Sequence, residues 1–241
     1  MLLFICLYLL YAGAIAELPC TVIPGKLKQL DVGNGEVYGV ADDDTIYFWL
    51  THVTVGPAGV WGVNKDDYIY RLNNFYWVQV SGRLNPIDAG GDKFISGANA
   101  DDDIYCVSQD PSTFPANAIP YVHVEGKLKH YACGPLGCWG VNSANEIYYR
   151  NQGTGWVRVE GSLIMVEVGT DGSVFGVNSE GPVLQRAGIS PKNPRGTSWI
   201  GIDVCNSFRY VSYDAGFLWL IGDNGSIFKC EYPESMLPHL L

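Results

Sequence analysis

Six times along this chain a glycine-bearing turn leads into a short apolar strand, usually built around Gly-Val-Asn, followed by an acidic turn and a second strand built around Ile-Tyr. The copies are VGNGEVYGVADDDTIYF from Val32, VGPAGVWGVNKDDYIYR from Val55, AGGDKFISGANADDDIYC from Ala89, CGPLGCWGVNSANEIYYR from Cys133, VGTDGSVFGVNSEGPVLQR from Val168 and YDAGFLWLIGDNGSIFKC from Tyr213. A unit of this size cannot bury its own apolar face, so repeated units must stack in a line or close into a ring.

A fuller unit is visible mid-chain, where WVQVSGRL from Trp77, YVHVEGKL from Tyr121 and WVRVEGSL from Trp156 each precede a copy. This makes four strands per unit, rich in Val, Ile, Tyr, Phe and Trp and bounded by Gly, Asn and Asp. Sustained 3.6-residue apolar spacing is missing, so helices should be nearly absent. Four-stranded antiparallel units around a ring describe a β-propeller, and six copies predict six blades. At the start, CTVIPGKL from Cys20 matches the Trp-Val-x-Val strand but has no copy before it, and the last copy ends at Cys230 without that strand. Ring closure by the N-terminal strand resolves both ends. The step from Gly39 to Gly62 is much shorter than the later steps between equivalent glycines. Only Leu50, Thr51 and His52 separate strand signals there, and three residues reach ~10 Å, so the first blade should be shortened.

The apolar run Leu2 to Ile15, with the small-residue pattern Ala14-Ile15-Ala16, reads as a secretory signal peptide over residues 1–16, leaving residues 17–241 as the propeller domain. A run of about 14 residues is short of the roughly 20 that a membrane span needs. The six later cysteines suit a secreted, disulfide-bearing chain. Cys133 and Cys138 flank a tight turn and should be bridged. Ring closure would bring Cys20 near Cys230, with Cys205 as the competing partner, and Cys106 has no assigned place. The formal charge of −10 disfavours nucleic acid and anionic membrane, both bound through clustered Lys and Arg.

In these residues the chain resembles the tectonin-repeat lectins, and within them the fish-egg lectins (fishelectins). The likeness runs over essentially the whole mature chain, through CTVIPGKLKQLDVG, HVTVGPAGVWGVNKDD, CGPLGCWGVNS, EVGTDGSVFGVNS and the terminal SIFKC. The resemblance implies a secreted six-bladed propeller that binds N-acetylglucosamine and related sugars on microbial surfaces such as lipopolysaccharide or cell wall, in egg or innate defence.

In this strand order the turn after Gly-Val-Asn and the loop after Trp-Val-x-Val-x-Gly open on one face. Sugar recognition needs carboxylate or amide groups for hydroxyls and an apolar plate for the C–H face of the ring. The turns offer Asn64, Lys65 and Asp67; Asn99 and Asp102; Asn142 and Asn145; Asn178 and Glu180. Trp77, Tyr121, Trp156 and Trp199 recur at one strand position and offer the plate. Asn and Asp are also the residues tight turns prefer for backbone reasons, and Trp61, Trp139 and Trp219 read as core. Several weak sites on one rim would give avidity toward a repetitive surface.

Asp42-Asp43-Asp44 and Asp101-Asp102-Asp103 invite a calcium reading but lack spaced ligands, so solvated turns, no metal and no cofactor are expected. His52, His123, His130 and His239 are scattered and no nucleophile elbow occurs, which disfavours an enzyme. A propeller glycosidase and a non-lectin egg-coat scaffold stand as the alternative readings. Asn224-Gly225-Ser226 is a sequon, read here as a hairpin turn.

Overall fold

The computed structural model describes residues 18–41, 50–90, 95–107, 109–151, 154–204 and 206–233. Its strands form six antiparallel sheets. β1 (Cys20–Lys26) is separated in sequence from the sheet it joins, and β2 (Gln29–Gly33) pairs with β3 (Glu36–Val40). β4 (Leu50–Gly56), β5 (Gly59–Asn64), β6 (Tyr68–Asn73) and β7 (Tyr76–Arg83) form one four-stranded blade. β8 (Ile87–Asp88), β9 (Ile95–Ala98), β10 (Asp103–Val107) and β11 (Val122–Lys127) form the next. β12 (His130–Gly134), β13 (Gly137–Val141), β14 (Glu146–Arg150) and β15 (Val157–Ser162) follow, then β16 (Met165–Val168), β17 (Val174–Val177), β18 (Val183–Ala187) and β19 (Ser198–Gly201). The last blade is β20 (Phe208–Asp214), β21 (Phe217–Gly222) and β22 (Ser226–Glu231), with β1 added beside β22. The fold is an all-β propeller. Its only helical element among the described residues is a 3-10 turn at Pro111–Thr113, and none of their helices is long and apolar enough to cross a membrane.

The expected count of six blades is corrected to five complete ones, because the first repeat holds two strands among the described residues. Leu50 marks the start of the next unit. A Cβ on Gly62 would come within 2.7 Å of Leu50 Cδ1, as one on Gly39 would meet Leu27 (2.5 Å) and one on Gly140 would meet Leu128 (2.4 Å). Leu50 thus fills the place where a new unit begins, and only 42–49, outside the described residues, lie between it and Ala41. The same contact explains the glycine of Gly-Val-Asn, since that position must admit the leucine that starts its own unit.

β2, β4, β8, β12, β16 and β20 each touch the next, and β20 touches β2. Their side chains two residues before the strand's closing turn are Asp31, Thr54, Asp88, Ala132, Glu167 and Ser212. Four of these accept an N–H from the neighbouring inner strand: Val55 N donates to Asp31 (2.7 Å), Ala89 N to Thr54 (3.0 Å), Cys133 N to Asp88 (3.0 Å) and Val32 N to Ser212 (3.1 Å). Polar residues therefore tie blade to blade where no sheet ladder can. Between blades the packing is apolar, as in the cluster of Trp61, Ile69, Leu84, Ile87 and Ile95. Each such aliphatic side chain contributes about 1.5–3 kcal/mol by leaving water.

The outer strands β7, β11 and β15 alternate, with Val80, Val124 and Val159 buried while Val78, Val122 and Val157 face solvent. Cys133 bonds Cys138 directly across β12 and β13. Cys20 bonds Cys230 across β1 and β22. Cys205, the competing partner, lies outside the described residues, while Cys106 packs in the core with Tyr131 and Cys133. The signal peptide, Asp42-Asp43-Asp44 and His239 also fall outside the described residues.

Candidate functional site

The four turn asparagines are shaped first by their own backbone. Asn64 Oδ1 accepts the N–H groups of Asp66 (3.1 Å) and Tyr68 (3.0 Å), and Asn99 Oδ1 those of Asp101 (3.0 Å) and Asp103 (2.8 Å). Asn142 Oδ1 takes Ala144 (3.0 Å) and Glu146 (2.9 Å), and Asn178 Oδ1 takes Glu180 (2.9 Å). Asp67, Asp102 and Asn145 occupy the left-handed region at φ of 62°, 63° and 62°, which their short polar side chains tolerate. The turn chemistry fixes each amide: its oxygen faces the backbone, which leaves its NH2 for other partners, as in the bond from Asn142 Nδ2 to Glu146 (2.9 Å).

Two matching cavities open where adjacent blades meet. One, of about 260 Å³, is lined by Gly126, Lys127, Leu128, Asn142, Tyr148 and Trp156. The other, of about 230 Å³, is lined by Gly82, Arg83, Leu84, Asn99, Tyr105 and Tyr121. Residue for residue they are the same construction. The end of one blade's outer strand supplies Gly, a cation and Leu, and the following blade supplies the turn asparagine, the Ile-Tyr tyrosine and the strand-start aromatic.

In the larger cavity Glu146 organises the polar wall. Its carboxylate accepts Asn142 Nδ2 (2.9 Å), the Tyr148 hydroxyl (3.0 Å) and Arg158 (3.0 Å). The bonds from Asn142 and Tyr148, with the Arg158 charge, hold its carboxyl below the usual range despite some opposing desolvation. With its hydrogen committed to Glu146, Tyr148 has oxygen lone pairs left to accept a bond, and Asn142 keeps one amide hydrogen to donate. Lys127 is clamped by Asp103 at 2.7 Å, and Trp156 closes the far wall over Gly126. In the smaller cavity Arg83 donates to the Tyr68 hydroxyl (2.7 Å) and lies over that ring. Tyr105 meets His123 edge-on, and the buried Tyr121 hydroxyl has no protein partner.

Of the residues expected from the sequence, the structure brings Asn99 together with Tyr121, and Asn142 with Trp156. Asn64, Lys65, Asp67, Asp102, Asn145, Asn178 and Glu180 line neither cavity. Asp67 accepts from Asn85, Asp102 from Ser143, and Asn145 from Lys129. Trp199 packs on Gly161 with its indole N–H on the Glu160 carbonyl (2.9 Å), and Leu184 stands where the two cavities have tyrosine. Trp77, with Tyr38 and Leu72, packs against the cluster of Val40, Val53, Val55 and Val60. Sequence reasoning missed Tyr105, Tyr148, Arg83 and Lys127. Their signal lies in the repeated Ile-Tyr and Gly-x-Leu segments, which taken alone read as strand and connection. Asp101-Asp102-Asp103 is absorbed by its own turn and by Lys127, and no cluster of metal-ligating side chains occurs among the described residues.

Comparison with known proteins shows the family of the chain. The Tectonin domain family matches residues 26–223. The fish-egg lectin of Cyprinus carpio is 44% identical over 88% of this chain and 98% of its own length. The perivitellin-2 31 kDa subunit of Pomacea maculata is 30% identical over 34% of this chain and 35% of its own. Among solved structures, virginiamycin B lyase from Staphylococcus aureus superposes with a TM-score of 0.56 at 10% identity, covering 83% of this chain and 71% of that one, which is a likeness of fold alone. The repeat, the blade geometry and these matches together place the chain in the tectonin family, alongside the fish-egg lectins.

Proposed function

We propose that this protein is a secreted, non-catalytic lectin for N-acetylglucosamine-type sugars on microbial surfaces, including lipopolysaccharide and cell wall, acting in egg or innate defence by multivalent binding. The observation that carries the reading is the matched pair of cavities, each combining an oriented amide, a phenol, a cation and an aromatic wall. The free hydrogen of the asparagine amide suits an acetamido carbonyl, the phenol oxygen suits a sugar hydroxyl, and the aromatic ring suits the C–H face of a pyranose. Both cavities are smaller than the roughly 300–1,000 Å³ typical of drug-sized ligands, which suits a single sugar residue bound weakly and repeatedly. Asn99, Tyr105 and Tyr121 would hold one sugar, and Asn142, Tyr148 and Trp156 the other.

The carp relative is named a lectin, and two disulfides favour an oxidising, extracytoplasmic setting. We read the array as a six-unit ring with a shortened first unit, closed by the N-terminal strand. The pairing of β1 with β22 and the contact of β20 with β2 support that reading. The test is a glycan array followed by titration with free N-acetylglucosamine. Binding that the free sugar inhibits and that falls when Tyr121 and Trp156 are both replaced by alanine is the expected result. Retention of full binding by that double variant would remove the assignment.

A further inference from the structure

The bonding along the propeller axis leaves one proton to be assigned. Ser212 is fully buried in β20, and its Oγ accepts the backbone N–H of Val32 at 3.1 Å. The same oxygen lies 2.9 Å from Asp31 Oδ1 and 3.2 Å from Glu167 Oε1. A serine hydroxyl has one hydrogen and can donate it to one carboxylate only. The second contact requires a proton on the carboxyl itself. Asp31 is the better anion of the two, because its other oxygen accepts the Val55 N–H at 2.7 Å. Glu167 is surrounded by like charge, from Asp31 on β2, Asp88 on β8 and Asp214 on β20.

The remaining titratable groups around the axis do not offset that charge. They are His52 of β4, His130 of β12 and Tyr210 of β20, which line a small axial cavity together with Asp31, Asp88 and Glu167. Burial holds both imidazoles neutral at ordinary pH, down at about 3 for His52 and about 4 for His130. Asp31 belongs to the first inner strand and Ser212 to the last, so the cluster sits where the two ends of the repeat array meet.

We propose that Glu167 is a neutral acid that donates to Ser212 in the closed ring, and that this proton makes the junction of first and last inner strands a latch which loosens as pH rises. Losing the proton would set two buried anions against a single hydroxyl in a low-dielectric site. Burial first, and then Asp31 and Asp88, push the Glu167 carboxyl well above its usual range. A carboxyl raised in the folded chain keeps its proton where the unfolded chain has released it, so stability falls as pH climbs from the usual glutamate range to the folded value. Asp31, raised to about 6, and Asp88, raised to about 7, act in the same direction at lower pH. The two histidines act oppositely, because stability gained from keeping them neutral grows as pH rises toward the usual imidazole value of 6.5.

The experiment compares denaturant unfolding of the wild type and Glu167→Gln from about pH 5, just above the usual glutamate range, to about pH 9, where one extra bound proton changes the unfolding constant up to about tenfold per pH unit. The expected result is a wild-type constant that rises with pH relative to Glu167→Gln, whose amide donates to Ser212 at every pH. Parallel profiles would overturn the proposal. A second measurement needs no variant: hydrogen exchange of the Val32 amide, corrected for intrinsic base catalysis, against that of Gly140 in β13. Selective loss of protection at Val32 over the same range is expected, and equal or unchanged protection at both positions would sink the latch.

Discussion

The indole of Trp156 lies over Gly126 so closely that a Cβ there would sit 2.8 Å from Trp156 Cδ1 and 2.9 Å from Nε1. Gly126 also has φ +127°, in a region that side chains rarely adopt. One residue therefore lets the outer strand of one blade serve as the floor beneath the aromatic wall of the next. Replacing Gly126 with alanine should displace Trp156 and destabilise the protein by about 1–3 kcal/mol. Chemical unfolding measures the stability loss. Sugar titration should show that site weakened while the cavity around Tyr121 is retained.

On the proposed assignment of the cavity beside Trp156, Glu146 sets an acid limit on sugar binding. Its carboxyl is held below the usual 4.5 by the bonds from Asn142 and Tyr148 and by Arg158. A depressed carboxyl keeps its partners while ionised and loses them as pH falls through the folded value. Sugar affinity followed by fluorescence should stay constant from about pH 7 to 5 and fall only below the ordinary glutamate range. Glu146→Gln should show weaker binding at neutral pH, because an amide cannot accept all three donors.

The hairpin between β6 and β7 contains a local conflict. Asn74 and Phe75 have φ of 46° and 68°, and Phe75 is 96% exposed. A left-handed conformation costs a residue with a side chain roughly 1–2 kcal/mol, and Phe75 has almost no burial to offset it. Phe75→Gly should stabilise the fold by about 0.5–1 kcal/mol, visible as a higher midpoint in thermal unfolding.

The two disulfides should differ in worth. Cys20 and Cys230 are 210 residues apart, whereas Cys133 and Cys138 are 5 apart. On the chain-entropy account the long loop gives close to 5 kcal/mol and the short one about 2 kcal/mol. Replacing each pair with serine and comparing denaturant midpoints should show the larger loss at Cys20 and Cys230. Equal losses would mean that the unfolded chain is already restrained between its ends.

Much of the molecule is legible in the chain itself. The repeat dictates a β-propeller, since identical amphipathic units bury themselves only against one another. The glycine between Cys133 and the second strand of its unit announces a hairpin, and the bridge to Cys138 follows from that hairpin's geometry. Asn99, Tyr121, Asn142 and Trp156 were identifiable as rim residues because they recur in register. Tyr105, Tyr148, Arg83 and Lys127 were not, because each cavity is shared: its floor belongs to one blade and its wall to the next. A repeat unit read alone shows two half-sites that never meet. Likewise Asp31, Glu167 and Ser212 lie far apart in sequence, and only closing the inner strands around one axis brings three polar groups to a single proton. Local pattern fixed the strands and turns through backbone preference and apolar periodicity. Tertiary packing decided which half-sites face one another and which carboxyl must stay neutral, because both depend on distances that neighbouring blades impose.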